Sequence, residues 1–559
     1  MLEAAKPGAT IVPLLVLTDR TQLTLFGSKS AYPVYLTIGN IPKAIRRKPL
    51  RRAQVLLAYL PSTKLKCISC LASRRRILAN LFHSCMGRIF QPLEDAGIQG
   101  IPMRDGLGIW RRLHPILAVF IGDYPEQVLV TATKTKDCPK GNISSNSLGC
   151  YDEPCHPRDL STIKDKLLKA DTDPYAFRQG CKALHIKPIY HPFWISLPFL
   201  NIFQSIGPDI LHQLLQGLLK HLLSWLSTAY GASEIDARAQ RVIPNFHIRI
   251  FLNGITELSR VTGKEHDLMC RILLGLIVNA QLPNDLDPAR MIRAVRAFLD
   301  FLYLARLQVH TTKTLHHLEL ALVRFHDNKS IFVDLNIRKK GFNIPKLHAC
   351  QHYVESIKCF GSTDNYDTQH MECLHIEFTK DAYWATNTRD ELPQMTKWLE
   401  RQEQVHRHGN YISQETRKCT PKAIPPIPEL HPKRRIKMTV KPSVQGVSIA
   451  ALASNYGAHD FRDAFARFAI QQHQRGIQRA QLECEMHCFV IPFTTVSVYH
   501  RIKYEDVEAQ AKGGLAIDAI YVQAQRHGQN GRIIPGRFDT ALVHCGTDQH
   551  RTGVHGMYL

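Results

Sequence analysis

The sequence predicts an α/β protein with a mainly α-helical insertion and a small β-rich module at its C-terminal end. Three observations carry this. Strand-like and helix-like segments alternate through the first 135 residues, the pattern turns helical from Phe193 to about Leu335, and the last hundred residues mix one helix with short strands and turns.

Taken in order, Ile11–Thr18 is an apolar, β-branched run of strand type, and Pro33–Ile38 and Gln54–Leu60 read as further short strands. Arg74–Phe90 has Leu78, Leu81, Phe82 and Cys85 on one helical side. Ile116–Gly122 is another short apolar strand, and Gln127–Thr131 reads as one more. Residues 136–190 are rich in Cys, Pro, Gly, Asn and Ser, which predicts a loop-dominated connector. Asp209–Leu226 then carries Leu211, Leu215, Leu218, Leu222 and Leu226 at helical steps behind the start signals Pro208 and Asp209. Pro288–Gln308 repeats the pattern with Met291, Val295, Phe298 and Leu302. Asp367–Thr386 predicts one more helix, burying Met371, Leu374, Phe378 and Ala382. A basic, Pro-rich linker occupies 416–443, and a helix around Phe461–Gln474 lies in the closing module, 444–559.

Composition limits the function classes. Lys+Arg 71 against Asp+Glu 48 leaves +23, a balance that favours phosphate-rich partners or anionic surfaces. No apolar stretch reaches the roughly 18–20 residues of a membrane span, and Met1–Thr10 lacks the pattern of a secretory leader. The 15 cysteines are odd in number and irregular in spacing, as expected for reduced thiols of the cytosol or nucleus.

Two apolar runs each end in an aspartate: Ile11–Thr18 before Asp19, and Pro115–Gly122 before Asp123. Strands of one sheet would deliver both carboxylates to the same edge, where ligands collect in open α/β sheets. Adjacent carboxylates repel unless a cation lies between them, and Mg²⁺ (or Mn²⁺) is the usual partner in phosphodiester chemistry. An aspartate after a strand also simply opens a turn, so the pattern alone leaves both readings open.

The words around these residues resemble the Plavaka-type transposases of fungi, relatives of CACTA-like cut-and-paste elements. They are Thr18-Asp-Arg-Thr-Gln-Leu23, Ala31-Tyr-Pro-Val-Tyr-Leu-Thr-Ile-Gly-Asn40, Gly122-Asp-Tyr-Pro-Glu-Gln127, Pro208-Asp-Ile-Leu-His-Gln-Leu214, Phe342-Asn-Ile-Pro-Lys-Leu-His348, Glu372-Cys-Leu-His375 and Arg537-Phe-Asp-Thr540. The resemblance runs from about Val12 to Gly556. It implies an RNase H-like core with an Asp-Asp-Glu triad, interrupted by helices before the glutamate. On that basis 1–135 is the first half of the core, 136–190 the connector, 191–345 the insertion, and 346–415 the closing helices. Against the family, the chain reads as an N-terminally truncated copy, without the Cys/His region upstream of the core.

The resemblance gives Asp19, Asp123 and Glu372 as the catalytic, metal-holding residues. The spacing 123 − 19 = 104 fits one sheet segment, whereas 372 − 123 = 249 requires inserted structure. At the third position, relatives look like Thr-Glu-x-x-Glu-Arg-Leu-His. This chain has Thr368-Gln-His-Met-Glu-Cys-Leu-His375, so Gln369 replaces the first acid and Glu372 is the expected ligand. If the first acid were the ligand, the copy would be damaged, because an amide cannot balance metal charge. Asp209 and His212 match a supporting Asp-x-x-His word, and Asp209 also fits a helix cap.

Zinc is the second metal considered. Cys67-x-x-Cys70 has half-site spacing, and Cys138, Cys150, Cys155 and His156 are further ligand types. The family's Cys-Pro-x-Cys is broken here, since Gly141 follows Cys138-Pro-Lys; unliganded cysteines are therefore the expectation. His348 and His352 form an i,i+4 pair that is able to bind metal, with a structural role as the expectation. The basic block Lys43, Arg46, Arg47, Lys48, Arg51 and Arg52 lies close to the first aspartate and is the expected DNA-binding patch.

These readings predict a nuclear DNA transposase. Its partners are transposon ends and target DNA, no membrane is involved, and a homo-oligomer is compatible with the sequence. The alternative is a catalytically degenerate or domesticated transposon-derived protein that binds DNA without cutting it.

Overall fold

The computed structural model describes residue 6 and residues 9–24, 29–105, 108–243, 249, 251–259, 261–283, 286–419, 435–438, 441–474, 477–507, 515–527, 533–534, 536–538, 543–544 and 557–558. The chain divides into two units: Met1–Ala239 with Asn253–Ala423, and Gln240–Leu252 with Ile424–Leu559.

The first unit is built on a five-stranded mixed sheet. Its strands are β1 (Thr10–Thr18), β2 (Pro33–Ile38), β3 (Val55–Tyr59), β4 (Ile101–Arg104) and β5 (Trp110–Ile121), in the spatial order β3-β2-β1-β5-β4. Strand β2 is antiparallel to both β1 and β3, β4 is antiparallel to β5, and β5 runs parallel to β1. A parallel neighbour needs a long crossover. It is supplied by helix α1 (Leu71–Phe90) and the following helix Pro92–Gln99.

Both faces of the central strands are covered, which is why β1 reads as a continuous apolar run rather than an alternating one. On one face Val16, Val34, Leu117 and Phe120 pack with Phe82, Met86 and Phe90 of α1 and with Phe193 and Trp194. On the other, Leu15, Leu17, Tyr35, Val119 and Ile121 pack with Tyr366, Met371 and Leu374. The latter residues flank or belong to helix α3 (Gln369–His375).

The β1–β5 register contains a bulge. Leu14 pairs with Leu117 but Leu15 pairs with Val119, leaving Ala118 as the extra residue. From there Leu17 faces Ile121, so the residues two further on, Asp19 and Asp123, leave the sheet side by side.

Several segments differ from the sequence reading. Gln127–Thr131 is not a strand: helix α2 (Tyr124–Val130) starts at Asp123, whose Oδ1 accepts the Glu126 N–H at 3.0 Å, with Pro125 in the first turn. That start signal overrides the β propensity of Val128 and Val130. The 136–190 connector holds two helices, Leu160–Leu167 and Pro174–Ala183, capped by Asp159 and Asp173. Their Ile163, Leu167, Phe177 and Cys181 join the first face's core. Asp367–Thr386 is not one uniform helix, because α3 passes into a π-helical turn, Ile376–Asp381, before Ala382–Trp384.

The helices expected after Phe193 are present as Ile210–Leu219 (π-helical), Lys220–Tyr230, Gly263–Ile277, Pro288–Ala305 and Thr312–Asn328. Leu211, Leu215, Leu218, Leu222, Leu226, Met291, Val295, Phe298 and Leu302 are all buried. In the second unit the described residues include helices Ile449–Tyr456, Phe461–His473 and Arg479–Cys488 beside the antiparallel pair Arg501–Val507 and Leu515–Gln523. It is thus mixed rather than simply β-rich. Most of the expected linker, at 420–434 and 439–440, lies outside the described residues.

Candidate active site

Asp19 follows β1 and Asp123 follows β5, so adjacent parallel strands present both carboxylates at one sheet edge. Asp123 is held above the ordinary carboxylate range, first by burial and further by Asp19 and Asp209, against the lowering influence of the Glu126 amide and His212. Mutual repulsion of this kind marks an acid cluster that a divalent cation would stabilise.

Asp209 caps the helix starting at Ile210 and is 1% exposed. It accepts the His212 amide at 2.8 Å and the His212 Nδ1–H at 2.8 Å, while Thr368 donates its hydroxyl to Oδ1 at 2.8 Å. Capping and orienting are therefore one arrangement here, not alternatives. Burial pushes His212 down, but the Asp209 hydrogen bond and charge, assisted by Asp123 and Asp19, outweigh it and hold the ring up at about 9. His212 is accordingly an imidazolium at neutral pH, and its Nε2 lies 4.0 Å from Glu372 Oε1.

Glu372 lies on α3 with a half-exposed side chain. One turn on, His375 is buried: its Nε2 is 3.8 Å from Asp19 Oδ2, and the Tyr35 hydroxyl is 3.0 Å from Nδ1. With Tyr35 donating to Nδ1, the Nε2–H faces Asp19. Asp19, Asp123 and Glu372 are thus brought around His212 and His375, with Asp209 behind them. Gln369 opens α3, its backbone N–H donating to Asp367 Oδ1 at 3.0 Å.

Behind the aspartates, Glu126 is buried and accepts hydroxyls from Thr18 at 2.8 Å and Tyr32 at 2.6 Å. Burial raises its carboxyl to about 8 despite these donors. Glu126, His375, Tyr35 and Thr368 were not singled out from the sequence. His375 stood in the quoted word Glu372-Cys-Leu-His375, and its three-residue step from Glu372 was the available signal.

The basic block is divided. Lys43 and Arg47 pair with Asp364 at 3.2 and 2.9 Å, Arg46 is buried with Nη2 donating to Asn365 at 2.7 Å, and Arg52 pairs with Glu377 at 3.1 Å. These contacts tie the β2–β3 loop to the segments on either side of α3. Lys48 and Arg51 are exposed.

A second cluster was not expected. Cys138, Cys155, His348 and His352 place one ligand atom each so that all four lie within 4.8 Å of one another. Cys67, Cys70, Cys150 and His156 are exposed and take no part in it. The sequence reading missed the assembly because its two halves are about 200 residues apart in the chain, joined only by the fold. The cluster is compatible with zinc.

Among the described residues, no helix is long and apolar enough to cross a membrane. No curated protein matches the chain. Residues 1–226 match the family model described as Plavaka transposase. That segment carries Asp19, Asp123, Asp209 and His212, and its match supports a Plavaka-type transposase.

Proposed function

We propose that the protein is a DNA transposase of the Asp-Asp-Glu type, acting in the nucleus on transposon ends and target DNA. Asp19, Asp123 and Glu372 are its catalytic carboxylates. The observation that carries the reading is that Asp19 and Asp123, 104 residues apart in sequence, leave adjacent strands at one sheet edge, while Glu372 on α3 lies 4.0 Å from His212, whose charge both aspartates support. The sheet supports an RNase H-like core: three antiparallel strands, then a helical crossover to a strand parallel to the first. Ile206 bridges β5 in parallel on its far side at Phe120, the place of a further strand in such a core. The helices between Ile210 and Asn328 fit an insertion ahead of the third acid.

The acid cluster suits Mg²⁺ or Mn²⁺, with Asp19, Asp123 and Glu372 as the holding residues. When bound, the ions would activate an attacking oxygen and stabilise the leaving one in phosphodiester cleavage and strand transfer. The chain's own residues set the stage. His375 Nε2 stands 3.8 Å from Asp19; Asp209 and Thr368 fix His212, and the protonated His212 offsets the acids' charge beside Glu372. Lys48 and Arg51 are free to meet DNA phosphates, with the rest of the basic block bracing the site.

The test is nicking and joining of DNA bearing the element's terminal repeats with Mg²⁺ or Mn²⁺. Asp19→Asn, Asp123→Asn and Glu372→Gln should each reduce turnover by about two orders of magnitude or more, as for loss of a direct chemical participant. The second reading, a degenerate DNA-binding descendant, is favoured by Gln369 standing where relatives carry an acid. It predicts salt-sensitive DNA binding with cleavage no greater in the wild type than in Asp19→Asn.

A further inference from the structure

Cys138 lies in the loop after α2, and Cys155 in the loop that returns antiparallel to it, where Gly141 bridges Pro157 and the Asn142 amide donates to His156 O at 3.0 Å. His348 and His352 come from the helical turns Pro345–His348 and Ala349–His352. Cys138 Sγ is 3.2 Å from His352 Nε2, and Cys155 Sγ is 3.5 Å from His348 Nε2. Tetrahedral zinc with Zn–S of about 2.3 Å and Zn–N of about 2.0 Å requires ligand atoms roughly 3.3–3.8 Å apart. Two thiols and two imidazoles already stand at nearly that spacing.

Gly141 shows how the fourth ligand is supplied. A Cβ built on residue 141 would fall 2.1 Å from Cys155 Sγ. A side chain at 141 and the thiol of Cys155 therefore compete for one place in the cluster. Residue 141 is glycine, and the sulfur arrives from the facing loop instead.

We propose that Cys138, Cys155, His348 and His352 bind one structural Zn²⁺, with Cys155 providing the thiolate that position 141 would otherwise provide. Four protein ligands and no open position make the site a structural one. Its work is mechanical. It joins the loop behind Asp123 to the helical turn whose Lys346 donates to His212 O at 2.7 Å, so the ion braces the His212 side of the acid cluster. The proposal does not depend on nuclease activity.

The test uses the full chain, with zinc content measured after dialysis and Co²⁺ substituted as a spectroscopic probe. Wild type should hold about one zinc per chain, and the Co²⁺ form should show thiolate-to-metal charge transfer with intense tetrahedral d–d bands. Cys155→Ala should lose at least about tenfold in affinity, the scale even of weaker outer-shell losses. The double variant Gly141→Cys/Cys155→Ala should recover the two-thiolate spectrum, a recovery that also excludes misfolding as the cause of the loss. Cys67→Ser/Cys70→Ser should leave metal content unchanged. A wild-type chain that binds no zinc, or a Cys155→Ala spectrum identical to wild type, overturns the proposal. Failure of the double variant to regain the metal overturns the shared place of residues 141 and 155.

Discussion

Glu126 is the residue whose surroundings most constrain its chemistry. It is buried with hydroxyl donors on both oxygens, and burial holds its carboxyl at about 8. An acid raised on folding takes up a proton in the folded state. The fold thus loses stability as pH rises from the unfolded value near 4.5 to about 8, and no further above that. Glu126→Gln keeps an acceptor for Thr18 and Tyr32 but cannot ionise. Relative to wild type, the variant should gain a few kcal/mol of stability between pH 5 and pH 8.5. Urea melts at the two pH values measure this, and a constant difference would mean that Glu126 is ionised in the fold. The sequence made Asp19, Asp123 and Asp209 legible because each stands at a strand end or helix start. Glu126 and His375 were hidden, because their roles come from Thr18, Tyr32, Tyr35 and Asp19, distant in the chain and adjacent only after folding.

The loop after β2 illustrates how an element can share its charges between structure and ligand. Arg46 is buried against Asn365, whereas Lys48 and Arg51 face solvent. Arg46→Ala should cost about 1.5–3 kcal/mol in chemical denaturation, the scale of a hydrogen bond to a charged group. Lys48→Ala and Arg51→Ala should leave stability within about 0.5 kcal/mol. Each should instead lower the slope of log affinity against log salt for duplex DNA by about 0.9 for every phosphate contact removed. Equal effects of all three on the melt, or none on the slope, would contradict this division. At this scale the apolar runs revealed β1, β2 and β3, because buried strands leave a plain hydrophobic signature. The α2 segment was misread because Val128 and Val130 carry strand propensity, while its fate was decided by the cap at Asp123. The helices at Leu160–Leu167 and Pro174–Ala183 were lost in a polar composition for the same reason.

In the whole molecule, the sheet is finished by residues that arrive very late in the chain. Leu15, Leu17, Tyr35, Val119 and Ile121 are covered by Tyr366, Met371 and Leu374. A chain ended at Gly361 should leave that apolar face open, at roughly 1.5–3 kcal/mol for each large side chain uncovered. It should therefore bind a hydrophobic dye strongly and sediment as aggregates, while the full chain does neither. A soluble, dye-silent truncation would show that α3 contributes little to the core. The sequence foretold both halves of this arrangement but not their contact, since nothing local in Met371 or Leu374 says which sheet face they meet. The extra residue Ala118 has a last consequence. Because Ala118 is the residue left over, the pairs on either side of it are already in step, and its removal would keep Leu15 opposite Val119 and Asp19 beside Asp123. A single codon lost there, with the reading frame intact, would straighten the strand and leave the two aspartates as neighbours.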